Sequence, residues 1–189
     1  MSEHVDGRPG QRVIVVGTSG SGKTTIAKRL AERLGAPHIE LDGLHWGPNW
    51  TEEPDELLRE RTEKALDGRE WWVIDGNYSA VRDIVWPRAD TVVWLNFSLP
   101  LILWRLTRRT FRRAVLREEF LHGNRENLHT HLFTKDSLYW WVLTTYKKRR
   151  REYPVIFAEP EHAHLKKIVL RSAREAEEWL RLVPTSKAK

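Results

Sequence analysis

Gly17-Thr18-Ser19-Gly20-Ser21-Gly22-Lys23-Thr24 sets glycines, a lysine and a hydroxyl at the spacing G-x-x-x-x-G-K-[ST]. Glycines let a backbone wrap closely around oxyanions with several N–H groups aimed inward. The positive end of a following helix adds to that attraction. At this spacing Lys23 reaches β- and γ-phosphates, and the Thr24 hydroxyl ligates Mg²⁺. The residues Gly17, Thr18, Ser19, Gly20, Ser21, Gly22, Lys23, Thr24 and Thr25 are therefore expected to hold a nucleoside triphosphate, with ATP as the default. The rival reading is a glycine-rich turn with an incidental lysine. The motif's place between an apolar run and an amphipathic stretch argues against it.

Such a phosphate loop needs a carboxylate on the metal side, supplied from the end of a neighbouring apolar strand. Trp71-Trp72-Val73-Ile74-Asp75 and His38-Ile39-Glu40-Leu41-Asp42 both read as strands ending in aspartate. In open α/β sheets ligands collect at the carboxyl ends of the strands. Asp75 is assigned with Thr24 to the metal and Asp42 to catalysis. An aspartate capping the next segment is the structural alternative for each.

The elements that must position these groups alternate. Arg12-Val13-Ile14-Val15-Val16 is an unbroken β-branched run, the mark of a strand buried on both faces of a parallel sheet. A helix follows from about Lys23 to Leu34, with Ile26, Ala27, Leu30 and Leu34 at helical spacing and Gly35 to close it. Gly43 to Trp50 reads as a loop, and Glu53 to Leu66 as a polar helix closed near Gly68. Thr91 to Asn96 is a fourth strand. Leu99 to about Phe120 is a long basic helix, broken at Gly123-Asn124. A helix from about Asp136 to Arg150 presents Leu138, Trp141, Val142 and Thr145 on one side, and ends in the basic cluster Lys147 to Arg151. Val155-Ile156-Phe157 reads as a short strand without a place in the order. Lys167 to Leu170 is the last strand, and Ser172-Ala173-Arg174-Glu175 is a capping box opening a final helix. Alternating strands and helices predict an α/β fold with a parallel sheet covered on both faces.

The 189 residues suit one domain, and 40% hydrophobic with 31% charged residues is globular composition. Ten tryptophans supply large apolar surface, most of it expected in the core or in pocket walls. The absence of cysteine excludes disulfides and thiolate metal sites. No apolar run reaches the length of a membrane span and the N-terminus lacks a signal-peptide core, so a cytoplasmic protein without membrane attachment is expected. The net charge of +6 suits phosphorylated small molecules as well as nucleic acid.

Three segments carry a resemblance. The phosphate loop, Leu41-Asp42-Gly43-Leu44-His45-Trp46-Gly47-Pro48-Asn49-Trp50 and Ile74-Asp75-Gly76-Asn77-Tyr78-Ser79 together resemble the adenylate-kinase-like P-loop proteins labelled DNA topology modulation proteins (the FlaR type). The likeness continues through Arg88 to Leu95 and Gly123-Asn124-Arg125-Glu126, and covers the chain from about Arg12 to Leu182. It implies the three-layer P-loop fold of nucleoside-monophosphate kinases, with a five-stranded parallel core. It also implies one domain over 11–184 between a flexible arm (1–10) and a tail (185–189). Within that domain an acceptor-binding insertion is expected over about 43–67 and a lid over about 108–135. Asp42 would then bind the acceptor, Asp75 would face the metal, and Gly76 would lie near the acceptor. True adenylate kinases carry D-G-F-P-R where this chain has Asp75-Gly76-Asn77-Tyr78-Ser79. The insertion also lacks the usual arginine near its start, so AMP does not follow as the acceptor.

Arg105, Arg108, Arg109 and Arg112 lie within about 100° on a helical wheel. Arginines arriving from a lid stabilise the charge that spreads over a transferring phosphoryl group, and Arg105 and Arg109 are assigned that role. Arg125 is a further candidate. A solvated basic helix is the alternative. His45, Trp46, Gly76, Asn77 and Tyr78 are assigned to the acceptor pocket, against the alternative of a satellite core under the insertion. His122, His129, His131, His162 and His164 have no metal-ligand spacing. Lys147 to Arg151 is read as a solvated helix terminus.

These readings predict a kinase transferring the γ-phosphoryl of ATP, with Mg²⁺, to a small-molecule acceptor, and nucleic acid is not expected as a partner. Two alternatives are an NTPase-type switch without a small acceptor and a nucleic-acid-associated ATP-binding protein. Acceptor identity, base preference and oligomeric state are not given by the residues.

Overall fold

The alternating side chains of the first strand divide the molecule into two cores. In β1 (Arg12–Gly17), Val13 and Val15 enter one buried cluster and Ile14 and Val16 the other. The computed structural model describes residues 7–116, 119–120, 124–125 and 138–185. Its main sheet is parallel, in the order β2 (His38–Glu40), β3 (Trp72–Asp75), β1, β4 (Thr91–Leu95) and β7 (Lys166–Leu170). Two residues each of β5 (Glu119–Phe120) and β6 (Asn124–Arg125) pair antiparallel beyond it.

Helices cover both faces, as unbroken apolar strands require. On the Val13 side lie α1 (Lys23–Leu34), α5 (Leu99–Leu116) and α7 (Ala173–Leu182). On the Ile14 side lie α3 (Asp55–Leu66) and α4 (Arg82–Val85), with Trp72, Trp86 and Trp94. The final helix is capped as its sequence requires: the Glu175 N–H donates to Ser172 Oγ at 3.1 Å, and the Glu175 carboxylate accepts from the Arg171 N–H at 2.7 Å.

One helix belongs to both layers. In α6 (Leu138–Ala158), Val142 and Tyr146 pack in the first core, whereas Tyr153 and Ile156 pack in the second. Between Tyr146 and Tyr153 it brings Arg149 to the phosphate loop, at the carboxyl end of β1.

Several local expectations change. Val155-Ile156-Phe157 is not a strand; α6 runs through Pro154 to Ala158, because burial of Tyr153 and Ile156 outweighs the proline's missing N–H. Lys147 to Arg151 consequently sit mid-helix, not at a helix end. Trp141 is half exposed, and the inner stripe is Val142 and Tyr146. The second strand stops at Glu40, and Leu41–His45 forms a short helix (α2) in place of the expected loop, carrying Asp42 in its first turn. Pro48–Trp50 is a 3₁₀ turn. The tryptophans divide: Trp72, Trp86, Trp94 and Trp179 are buried, while Trp104, Trp140 and Trp141 are largely exposed.

Candidate active site

The phosphate loop is a backbone structure that only glycine permits at key points. Gly22, at φ 92°, caps α1 with no side-chain hydrogen bond, and no acidic residue stands in the helix's first turn. The dipole end of α1 is thus left for an anion. Thr18 and Ser21 are buried, Ser19 is half-buried and Thr25 is exposed. A turn from the Ser21 N–H to Thr18 O, 3.0 Å, closes the loop.

Cations gather around this loop. Burial pulls the Lys23 ammonium below the ordinary lysine value; Asp42 and Asp75 raise it, while Arg149 and Arg109 push it down. Arg149 lies close enough for one guanidinium nitrogen to donate to Gly17 O at 3.2 Å, and burial lowers its pKa as well. Arg105 donates to Ser21 O at 2.7 Å and lies over the Phe97 ring at 5.1 Å. Like charges held together out of water are unfavourable unless an anion joins them. This set suits a polyphosphate. Arg108 instead runs along exposed Trp104 at 5.6 Å, and Arg112 is exposed.

Carboxylates oppose the cations. Asp75, at 2% exposure, accepts the Thr24 hydroxyl on Oδ2 at 2.8 Å and meets His38 Nε2 on Oδ1 at 2.7 Å. Glu40 stands 3.4 Å from the same hydroxyl, and burial, then Asp75 and Asp42, raise its pKa. Hard oxygens of Thr24 and Asp75 with Glu40 beside them are the donor set Mg²⁺ prefers. Sequence reasoning missed His38, Glu40 and Arg149. The parity of a short strand hid the first two, and the uniform charge of Lys147 to Arg151 hid the third.

Asp42 faces a second, aromatic group. Its Oδ1 accepts the Tyr78 hydroxyl at 2.8 Å, and burial together with Asp42 holds that phenol far above its usual value. The His45 ring lies 4.6 Å from Tyr78 and 5.1 Å from Trp46, and its Nε2 meets Glu52 Oε1 at 3.2 Å. Trp50 stands edge-on to Trp46 at 6.0 Å. Gly76, at φ 145°, lets the chain pass against Leu41, whose Cβ would lie 2.7 Å from any added Cβ. Asp42, His45, Trp46, Gly76 and Tyr78 are thus brought together. Asn77 is not among them: it turns to the phosphate loop, bonding both polar atoms of the Gly17 backbone.

The insertion's arginines are structural. Arg59 makes a bidentate pair with Asp83 at 2.8 and 2.7 Å, and Arg61 donates to Leu44 O at 2.8 Å. Away from the site, His162 is buried between Glu159 and Glu161 with its Nδ1 bonded to Ile156 O at 3.0 Å. The side chains of Arg125, His122, His129 and His131, and most of the expected lid, lie outside the described residues, as do Met1 to Asp6 and residues 186–189.

A family model described as an AAA domain matches residues 13–127, more than half of the chain. The chain is 29% identical over 104 residues to the uncharacterized protein YqaC of Bacillus subtilis (strain 168), over 54% of this chain and 58% of that protein. It is 56% identical over 32 residues to a probable gluconokinase of Schizosaccharomyces pombe (strain 972 / ATCC 24843), 17% of each chain. It thus spans less than two thirds of the length of these curated relatives. Among solved structures it resembles a sugar kinase from Janibacter sp. HTCC2649 (TM-score 0.53, 22% identity, 92% of this chain and 91% of that one). A gluconokinase from Sinorhizobium meliloti 1021 is similar to the same degree (0.53, 22%, 92% and 93%). Shikimate kinase from Acinetobacter baumannii in complex with shikimate matches with TM-score 0.53 at 17% identity, over 90% of this chain and 89% of that one. At these identities the likeness is one of fold.

Proposed function

Because the chain belongs to the AAA-domain family of P-loop, kinase-like proteins, we propose that it is a phosphotransferase moving the γ-phosphoryl of ATP to a hydroxyl of a small molecule. The observation that carries the reading is the division of the site. Half-buried Lys23, Arg109 and Arg149 gather on the phosphate loop, and Asp42 with Tyr78 faces the aromatic group beside it. An NTPase-type switch would need the first half alone.

ATP lies on Gly17 to Thr24 with its phosphates on the α1 terminus, and Thr24 and Asp75 hold Mg²⁺, with Glu40 beside them. When bound, the ion neutralises charge on the β- and γ-oxygens. The acceptor occupies the space between the 43–67 insertion and the sheet, against His45, Trp46 and Tyr78. Its hydroxyl oxygen forms a bond to the γ-phosphorus as the bond to the β,γ-bridging oxygen breaks. ADP leaves, and the acceptor's proton passes to Asp42. Tyr78 orients that carboxylate. Arg149 and Arg109 meet the charge spreading over the transferring group, and Arg105 braces the loop through Ser21. The 108–135 segment serves as the lid that excludes water. Positioning and electrostatics supply most of the acceleration.

The segments Leu41 to Trp50 and Ile74 to Ser79 support placing the chain in the FlaR-type group. No described helix is long and apolar enough to cross a membrane, and with no cysteine we assign the protein to the cytoplasm. Nucleic acid is left out of the scheme, since Arg105 turns inward onto the loop.

Replacing Asp42 with asparagine keeps its size and removes the proton acceptor. Acceptor turnover should fall by about 10²-fold or more, with Mg·ATP affinity preserved in a direct binding titration. Turnover at the wild-type rate would remove Asp42 from the mechanism.

A further inference from the structure

Asn77 comes from the acceptor-side segment, yet its amide is spent on protein atoms. Nδ2 donates to Gly17 O at 2.6 Å, and Oδ1 accepts from the Gly17 N–H at 3.1 Å and from the Tyr153 hydroxyl at 2.8 Å. Gly17 has no room for a side chain of its own, since an added Cβ would lie 2.9 Å from Leu95 O and from Ser21 Oγ. Both peptide atoms of the loop's first residue are therefore fixed from outside the loop, by one amide. Gly17 O also accepts from Arg149 at 3.2 Å, and Arg149 stands one turn before Tyr153 in α6. On Asn77's own chain, Gly76 packs on Leu41 and Tyr78 bonds Asp42. Two parts of the site meet at this side chain, the phosphate loop and the helix bearing Arg149, and its chain neighbours Gly76 and Tyr78 reach a third, the Asp42 group.

We infer that Asn77 is a positioning residue that holds the first peptide of the phosphate loop in register with α6 and the Asp42 group, so that nucleotide affinity depends on it. The geometry demands an amide. Gly17 presents a donor and an acceptor side by side, and only a side chain with both can satisfy the two. Aspartate would retain the two bonds on Oδ1 but set a charged oxygen against Gly17 O. The Tyr153 phenol stays protonated, because burial raises it to about 12, so its bond to Asn77 persists across the neutral range. The inference rests on the nucleotide reading of the loop.

The test is calorimetric titration of the full chain with Mg·ADP, beside thermal melts, for wild type, Asn77→Asp and Tyr153→Phe. Asn77→Asp should weaken binding by about tenfold or more, and Tyr153→Phe by about threefold to fivefold, the scale of one lost neutral hydrogen bond. Both are compared where circular dichroism shows them folded; if Asn77→Asp does not fold, Asn77→Ser is held to the same tenfold expectation. Affinities within about twofold of wild type, whatever the melting temperature does, would make the network a stability feature only and overturn the inference. A change confined to the KM of the acceptor would return Asn77 to the acceptor pocket, with the same consequence. No Mg·ADP binding by wild type would instead bring down the nucleotide reading itself.

Discussion

Replacing Lys23 with alanine should lower acceptor phosphorylation by at least ~10²-fold, the loss typical of one preorganised electrostatic group in a transition state. Little stability should go with it. The ammonium already bears a desolvation penalty and lies among Arg149 and Arg109, so its removal relieves repulsion while costing the attraction of Asp42 and Asp75. These opposed terms keep the net effect small. Parallel turnover and thermal-melt measurements check the split. Loss of turnover together with collapse of the melt would mark Lys23 as structural, and unchanged turnover would contradict its catalytic role.

Arg149 carries the second large expectation. Alanine there should reduce turnover by on the order of 10²- to 10³-fold, below the full range known for arginines that meet a transferring phosphoryl group. The helix should hold, because Tyr146 and Tyr153, which bury it in the two cores, lie outside the change. Lysine should recover only part of the rate, since it keeps the charge but not the planar fork. A steady-state comparison of Arg149→Ala, Arg149→Lys and wild type reads this directly. Wild-type kcat and KM in both variants would leave Arg149 a loop brace.

The central strands and the first helix were legible because burial on both faces leaves no polar position to confuse the pattern; α1 runs from Lys23 to Leu34 and stops at Gly35 as read. The phosphate loop was legible for a different reason: each fixed residue has its own chemical necessity. The passage of α6 through Pro154 was not, since a proline and three apolar residues look local, while the contacts that override them come from Trp86 and Trp94, more than fifty residues away in sequence. Arg149 was hidden within a run of like charges. Only the crossing of α6 between two cores shows which of those residues faces Gly17. Asn77 and Tyr78 were indistinguishable as neighbours in one motif. Adjacent residues that point apart serve different partners, here Gly17 and Asp42.

The most direct test of the central claim is ADP formation by the purified protein with Mg·ATP. It is run against a panel of nucleosides, nucleoside monophosphates and small hydroxylated metabolites, with the phosphorylated product identified by mass spectrometry. The account predicts that one class of hydroxylated small molecule gains a single phosphoryl group, in step with ADP, and that Lys23→Ala abolishes the product. ATP bound but only slowly hydrolysed, at a rate no member of the panel changes, would contradict a kinase and leave a nucleotide-driven switch in its place.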